Sequence, residues 1–184
     1  MVPKMQEMRG VIESQSGWSL LVESKSDEVK IETKKSIREL IMMRAFGTVD
    51  HPAKDIYRCM QYFPLRKEWD VNNDICKTEQ VVGANAFVYY IKTVKKFVIS
   101  ARDFVANYIV NEEQDGTIII TITSEGVEYN IPPVAGVVRA FTAMSGFILK
   151  PHPGDPNKTD ISMMVEVDLK AGIPDFAMRQ ALKD

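Results

Sequence analysis

The chain has 184 residues, of which 45% are apolar and 26% charged, with a formal net charge of −2. That length allows one domain with a sizeable core, and the balance is ordinary for a globular protein. A nearly neutral chain has no general electrostatic drive toward nucleic acid, and the sequence holds no run of about 18 apolar residues that could span a bilayer.

In chain order, residues 3–15 carry a faint helical pattern. Val29, Ile31 and Thr33 then alternate with Lys30, Glu32 and Lys34, which reads as a strand with one wet face. Residues 39–49 are more apolar and read as a longer strand. Asp50 or His51 is placed to cap a helix with Pro52 in its first turn. Ile56, Cys59, Met60 and Phe63 follow helical spacing and define its core-facing side, with Cys59 read as a small buried hydrophobe. Pro64 ends this helix.

Strands are expected over 75–82, 86–93, 103–112, 116–124, 135–142, 145–150 and 160–170. Turn signals separate them: Gly83-Ala84-Asn85, Gln114-Asp115-Gly116, Pro132-Pro133 and the long stretch 151–157. In the last strand Ile161, Met163, Val165, Val167 and Leu169 point one way, and Ser162, Glu166 and Asp168 the other. Met164 interrupts the polar side, so that side is expected to be partly covered. A second helical pattern, Phe176, Ala177, Gln180 and Ala181, runs to Asp184. It is short and its apolar side is narrow, so the helix is expected to continue past this sequence. The order predicts an α+β fold in a single domain over 1–184: a curved antiparallel sheet with helices laid against it.

Chemical signatures are sparse. Cys59 and Cys76 define no disulfide framework and fit a reducing cytosol. The Asn157-Lys158-Thr159 sequon would matter only on a secreted protein, and the N-terminal residues lack the apolar core of a signal peptide. His51 and His152 lie in no ligand-spaced cluster. There is no G-x-S-x-G and no Cys–His arrangement. The loop 151–159 has one glycine and leads into a strand, unlike a phosphate cradle, and reads as a rigid hairpin loop. No catalytic residue, metal or cofactor is expected.

Two stretches combine charge with apolar bulk. Lys92, Lys95 and Lys96 flank Phe97, Val98 and Ile99. This reads either as a hairpin with solvated lysines or as a membrane-touching loop, with Lys95 and Lys96 attracted to anionic headgroups and Phe97 dipping into the interface. Leu65-Arg66-Lys67-Glu68-Trp69-Asp70 sets an Arg and an Asp on either side of a tryptophan. Met42, Met43, Met144, Met163 and Met164 suit either an adaptable cavity or an ordinary core.

The segments FPLRKEWD (63–70), SARDFVANY (100–108), GVVRA (136–140), GFILKPHPGDPNKT (146–159) and VEVDLKAGIP (165–174) stand in an order and spacing that resembles the START family, the lipid-transfer domains related to steroidogenic acute regulatory protein. The resemblance runs from about residue 18 to 184. It implies a helix-grip fold: a curved antiparallel sheet wrapped around a C-terminal helix, enclosing one lipid in a tunnel. That helix is longer in the family than the residues here provide.

In the phosphatidylcholine-carrying branch of the family, an Arg and an Asp bracket this tryptophan and face the headgroup. Carried over, Arg66 would meet the phosphate and Asp70 the ammonium, with Tyr90 and Phe104 as aromatic neighbours; Phe104 stands where the family has Tyr. The competing reading is a structural ion pair between Arg66 and Asp70. Trp69, Tyr108, Met163 and Val165 are expected to line the cavity. The sterol branch places an acid and a base where this chain has Ile91 and Tyr108. Arg102 and Asp103 are shared across the family and read as structural.

The resemblance implies a cytoplasmic, monomeric carrier of one phospholipid, phosphatidylcholine, that touches membranes transiently, binds no nucleic acid and is not an enzyme. The alternatives are a lipid-sensing domain of a larger protein, or a sterol or ceramide carrier. An enzyme would rest on fold analogy alone.

Overall fold

A computed structural model describes residues 2–26, 28–96, 99–128, 130–170 and 173. The expected final helix and Phe97 lie outside these residues. A first helix, α1 (Val2–Glu13), is followed by β1 (Ser19–Ser24), β2 (Val29–Lys35) and β3 (Ile41–Val49). Helix α2 (Ala53–Gln61), a 3₁₀ turn (Phe63–Leu65) and the single-turn α3 (Arg66–Trp69) come next. The remaining strands are β4 (Asn73–Gly83), β5 (Ala86–Thr93), β6 (Arg102–Glu112), β7 (Ile118–Thr123), β8 (Val138–Arg139), β9 (Phe141–His152) and β10 (Asp155–Asp168).

The ten strands among the described residues form one curved sheet in the order β1-β2-β3-β10-β9-β7-β6-β5-β4, with β8 pairing β6. Every pairing is antiparallel except β6–β8. The join between β3 and β10 sets the last described strand against the N-terminal group β1–β3.

Strand alternation sorts side chains onto two faces. Phe87, Tyr89, Ala106, Tyr108, Ile118, Ile120, Ile122 and Leu149 build an inner core with Ala53, Met60 and Phe63 from α2 and the turn. Met42, Ile119, Met144, Ile148 and Met164 build an outer core under Met8 and Ile12 of α1. Met164 is fully buried there, which explains the apolar break in the polar side of β10: α1 covers it. At Gly146 a Cβ would collide with the carbonyl oxygen of Ile120 and lie 2.5 Å from Met8 Sδ. Only glycine lets β7 and α1 approach that closely.

Several local expectations are corrected. Pro52 itself is the N-cap of α2, without a side-chain cap bond, and its carbonyl accepts from Asp55 and Ile56. Asp50 instead pairs with Lys158 at 2.8 Å. Pro64 does not stop a helix: α2 has already ended at Gln61, and Pro64 opens the 3₁₀ turn, where a missing N–H costs nothing. Cys59 is exposed, because Ala53, Ile56 and Met60 carry the packed side of α2 and Cys59 falls beside it. The strand expected at 135–142 shrinks to two residues, while 145–150 grows to Phe141–His152. The stretch after residue 151, by contrast, is the hairpin expected of it, and a tight one: His152 pairs with Asp155 around Pro153-Gly154, and Gly154 supplies the positive φ of 87°. β1 has no clear alternation in sequence and was not foreseen.

Candidate functional site

The 3₁₀ turn and α3 lie over the inner face of the sheet, next to β4. One helical turn puts residues i and i+4 side by side. Arg66 therefore meets Asp70: Nε and Nη2 donate to Oδ2 at 3.2 and 3.1 Å. Asn73 Nδ2 donates to the same oxygen at 2.5 Å. The Arg66 guanidinium also lies 4.3 Å from the centre of the Trp69 ring, a cation–π contact. The ion-pair reading of this segment is thus present in the structure, and both side chains are mostly covered, at 13% and 20% exposure.

Arg66, Asp70 and Asn73 form the polar end of a cavity of about 230 Å³. Phe63, Tyr89, Ile91, Phe104, Tyr108, Phe147, Met163 and Val165 supply most of its wall. Thr142 and Ser145 add hydroxyls from β9. Burial pushes the phenols of Tyr89 and Tyr108 well above their usual value. The Tyr108 hydroxyl and Ser145 Oγ are buried without a partner among the described residues. A second hollow of about 500 Å³ adjoins it, bounded by Val49, Ile56, Cys59, Met60, Trp69 and Ile161. Phe147 belongs to both walls. Their volumes lie near and within the range of small-molecule sites.

Of the residues singled out in sequence, Arg66, Asp70, Phe104, Tyr108, Met163 and Val165 come together around the first cavity. Trp69 lines the adjoining groove instead and is 45% exposed. Tyr90 does not reach either hollow. It points through the opposite face, packs with Val88 and Val105, and its hydroxyl donates to Asp103 at 3.2 Å. Burial, then the Asp103 carboxylate, raises its pKa to about 12. The reason is the two-residue period: Tyr89 takes the inward position, and Tyr90 must take the outward one. Tyr89, Asn73, Thr142, Ser145 and Phe147 were missed. Tyr89 could have been found from the alternation Phe87, Tyr89, Ile91, but the β9 hydroxyls depend on register between distant strands.

Asp103 is 1% exposed and receives a two-pronged bond from Arg139, at 2.8 Å from Nε and 3.0 Å from Nη2. It ties β8 to β6, the structural role expected of it. Lys95 is exposed, and Lys96 is partly covered, on the hairpin joining β5 to β6. Among the described residues no helix is long and apolar enough to cross a membrane.

Known proteins resemble this one along nearly its whole length. The family model described as the START domain matches residues 4–184. Mouse StAR-related lipid transfer protein 5 is 31% identical over 138 residues, covering 72% of this chain and 64% of the relative. Human mitochondrial steroidogenic acute regulatory protein is 24% identical over 182 residues, covering 97% of this chain and 62% of the relative. The chain therefore spans a little under two thirds of the length of these relatives. The structure of human StAR-related lipid transfer protein 5 superposes with a TM-score of 0.87 at 26% identity, over 97% of this chain and 85% of that one. Human STARD10 superposes with a TM-score of 0.81 at 22% identity, over 96% and 71%. The architecture is the helix-grip fold.

Proposed function

The chain belongs to the START-domain family, and from that premise we propose that the cavity and the adjoining groove form one trough for a single lipid, which the protein carries between membranes. The observation behind this is the placement of the Arg66–Asp70 pair on the wall of an otherwise largely apolar hollow. The cargo is a zwitterionic phospholipid, phosphatidylcholine. Its phosphate takes Asp70's place on the Arg66 guanidinium, and its ammonium takes Arg66's place beside Asp70. The exchange keeps the charges balanced, which matters because an unpaired charge in a covered site is costly. Phe104 and the groove-facing Trp69 supply aromatic faces nearby.

Burying acyl chains, at about 0.8 kcal/mol per CH₂, offsets extraction from the bilayer. The protein works by equilibrium exchange and not by catalysis, in keeping with relatives named as lipid transfer proteins. It acts as a monomer in the cytoplasm and meets membranes briefly through Lys95 and Lys96, each worth about 1 kcal/mol against an anionic surface.

The test is native mass spectrometry after incubation with liposomes containing phosphatidylcholine, cholesterol and ceramide, followed by lipid extraction. One phosphatidylcholine per chain, lost in Arg66→Ala, is the expected result; an empty protein would overturn the reading. A second reading has its own observation. The unpartnered hydroxyls of Tyr108 and Ser145 suit a lipid with a single hydroxyl, a sterol, while leaving the Arg66–Asp70 pair intact. A sterol adduct that is weakened by Tyr108→Phe and indifferent to Arg66→Ala would select it.

A further inference from the structure

A separate hollow of about 150 Å³ lies where the β5–β6 hairpin meets the chain leaving β10. Asn72, Thr93, Lys96 and Arg102 bring polar groups to it, beside Phe104 and Leu169. Arg102 is 4% exposed. Its Nη1 donates to the Ser100 carbonyl at 2.5 Å and its Nε to the Leu169 carbonyl at 3.4 Å. Neither partner carries charge, and no carboxylate among the described residues pairs with it. The other well-covered arginines differ. Arg44 has Glu32 at 2.6 Å and Arg139 has Asp103 at 2.8 Å. Burial accordingly lowers the pKa of Arg102, while the bond to Asp103 raises that of Arg139.

A buried guanidinium without a counter-charge is expensive, and carbonyl oxygens solvate it without neutralising it. Nη2 of Arg102 has no acceptor among the described residues, yet it is not among the atoms sealed from solvent. The hairpin holds this arrangement in place: the Arg102 amide donates to Thr93 Oγ1 at 3.0 Å, and Lys96 and Ile99 exchange backbone bonds at 3.1 and 2.7 Å. Opposite, the Val94 amide fixes the Asn72 carbonyl at 2.9 Å, while Asn72 Oδ1 is buried with no donor among the described residues. The hollow thus offers a positive donor and an unmet acceptor.

We propose that this hollow is an oxyanion site for a phosphate that bears a hydroxyl on itself or on its neighbouring group. Arg102 Nη2 donates to a phosphate oxygen, and the hydroxyl donates to Asn72 Oδ1. Hydrogen phosphate has this chemistry, and so does the headgroup of phosphatidylglycerol. Phosphatidylcholine does not, because its headgroup has no hydroxyl. The site is therefore distinct from the Arg66 end of the trough, and it stands whether or not the trough carries lipid. The two share Phe104 as a wall.

The test is a titration of the full chain followed through the Arg102 Nε–H and Asn72 side-chain amide signals in NMR. The probes are sodium phosphate, sodium chloride at equal ionic strength, and dihexanoyl phosphatidylglycerol and dihexanoyl phosphatidylcholine below their micelle concentrations. In an Arg66→Ala chain, where phosphatidylcholine is not expected to occupy the trough, saturable shifts of both signals with phosphate or phosphatidylglycerol, and not with chloride or phosphatidylcholine, are expected. Tighter saturation by phosphatidylglycerol identifies a lipid headgroup as the source, and tighter saturation by phosphate identifies the free anion. Asn72→Leu weakens binding about tenfold through the lost hydrogen bond, and Arg66→Ala leaves it unchanged, which separates this site from the trough. Non-saturating shifts matching those of chloride in the unaltered chain, or equal saturation by the two lipids in Arg66→Ala, would overturn the proposal, the first without depending on a variant that must fold.

Discussion

Beneath α1, Met8 and Ile12 close over Met144, Ile148 and Met164, and Gly146 lets the helix sit almost on the sheet backbone. On the opposite face of the same strands, α2 and α3 stand off far enough to leave two hollows with Phe147 between them. The outer side is pinned by charge as well. Arg44, paired with Glu32, donates to the carbonyls of Ile12 and Ser14 at the end of α1, both at 2.6 Å. Lys4 and Arg9 of α1 reach Glu125 and Glu113 at 2.8 and 2.7 Å. α1 pins the outer face over the middle strands, and a further hollow of about 520 Å³ opens beside it over Val88, Asn107, Ile109 and Thr121; the inner hollows differ in having aromatic walls and a charged pair. Space and unmet hydroxyls are tolerable on the inner side because a ligand can complete them.

The contrast can be broken most severely at Gly146. Gly146→Ala forces a Cβ into the Ile120 carbonyl, and the expected result is loss of any cooperative thermal transition in circular dichroism. Arg44→Met leaves Glu32 to Lys30 alone among its two cations and uncouples the end of α1; a loss of about 3 kcal/mol in urea unfolding is expected. The inner face should respond differently. Phe147→Ala costs about 2 kcal/mol, less than the 3–5 of a fully buried Phe because the ring is only partly covered. It also joins the two hollows and raises lipid loading in native mass spectrometry. Equal damage with no gain in loading would end the comparison.

The two faces should also fail at opposite ends of the pH scale. A hydrogen bond from Lys30, against the cost of burial, and then the bond from Arg44 hold the Glu32 carboxyl below its ordinary 4.5. A lowered folded pKa gives stability that is complete above that ordinary value and is lost as pH falls through the folded one. Glu32→Gln should therefore flatten the acid limb of a stability profile. Tyr89 and Tyr108 are raised above their ordinary 10 by burial. Their contribution is complete below that value and is lost as pH rises through the folded one. The smallest expected effect is that of Tyr108→Phe: within about 1 kcal/mol in stability, since the hydroxyl it removes has no partner among the described residues, with a weakened alkaline limb.

Much of this was readable in advance where a local rule governs. The α+β order, the alternation of β10 and its interruption at Met164 follow from a two-residue period. Arg66 meets Asp70 because four residues make a turn of helix. What escaped depends on phase or on distant partners. Tyr90, carried over from the family's pattern, stands one residue from the inward Tyr89, and one step along a strand reverses the face. Cys59 was placed inward because the apolar positions of α2 were counted without knowing which flank α2 would turn to the sheet. Thr142 and Ser145 reach the cavity only through the pairing of β9 with β7 and β10, which no short segment encodes. The uncompensated charge of Arg102 was invisible for a related reason: the neighbouring Asp103 points through the other face to Arg139.

The sheet ends in two open margins, β1 and β4, and β4 displays Val81 and Val82 at 74% and 59% exposure. Such a rim is normally a template for polymerisation. Here the ladder of β4 with β5 slips between Asn73 and Ile75, between Thr78 and Gln80, and between Val81 and Gly83. That of β1 with β2 slips between Leu20 and Val22. Each slip bends the strand and turns amides and carbonyls out of line, so an incoming strand finds no long, straight row to zip along. A sheet that stays open-sided around its inner hollows can do so without seeding fibres.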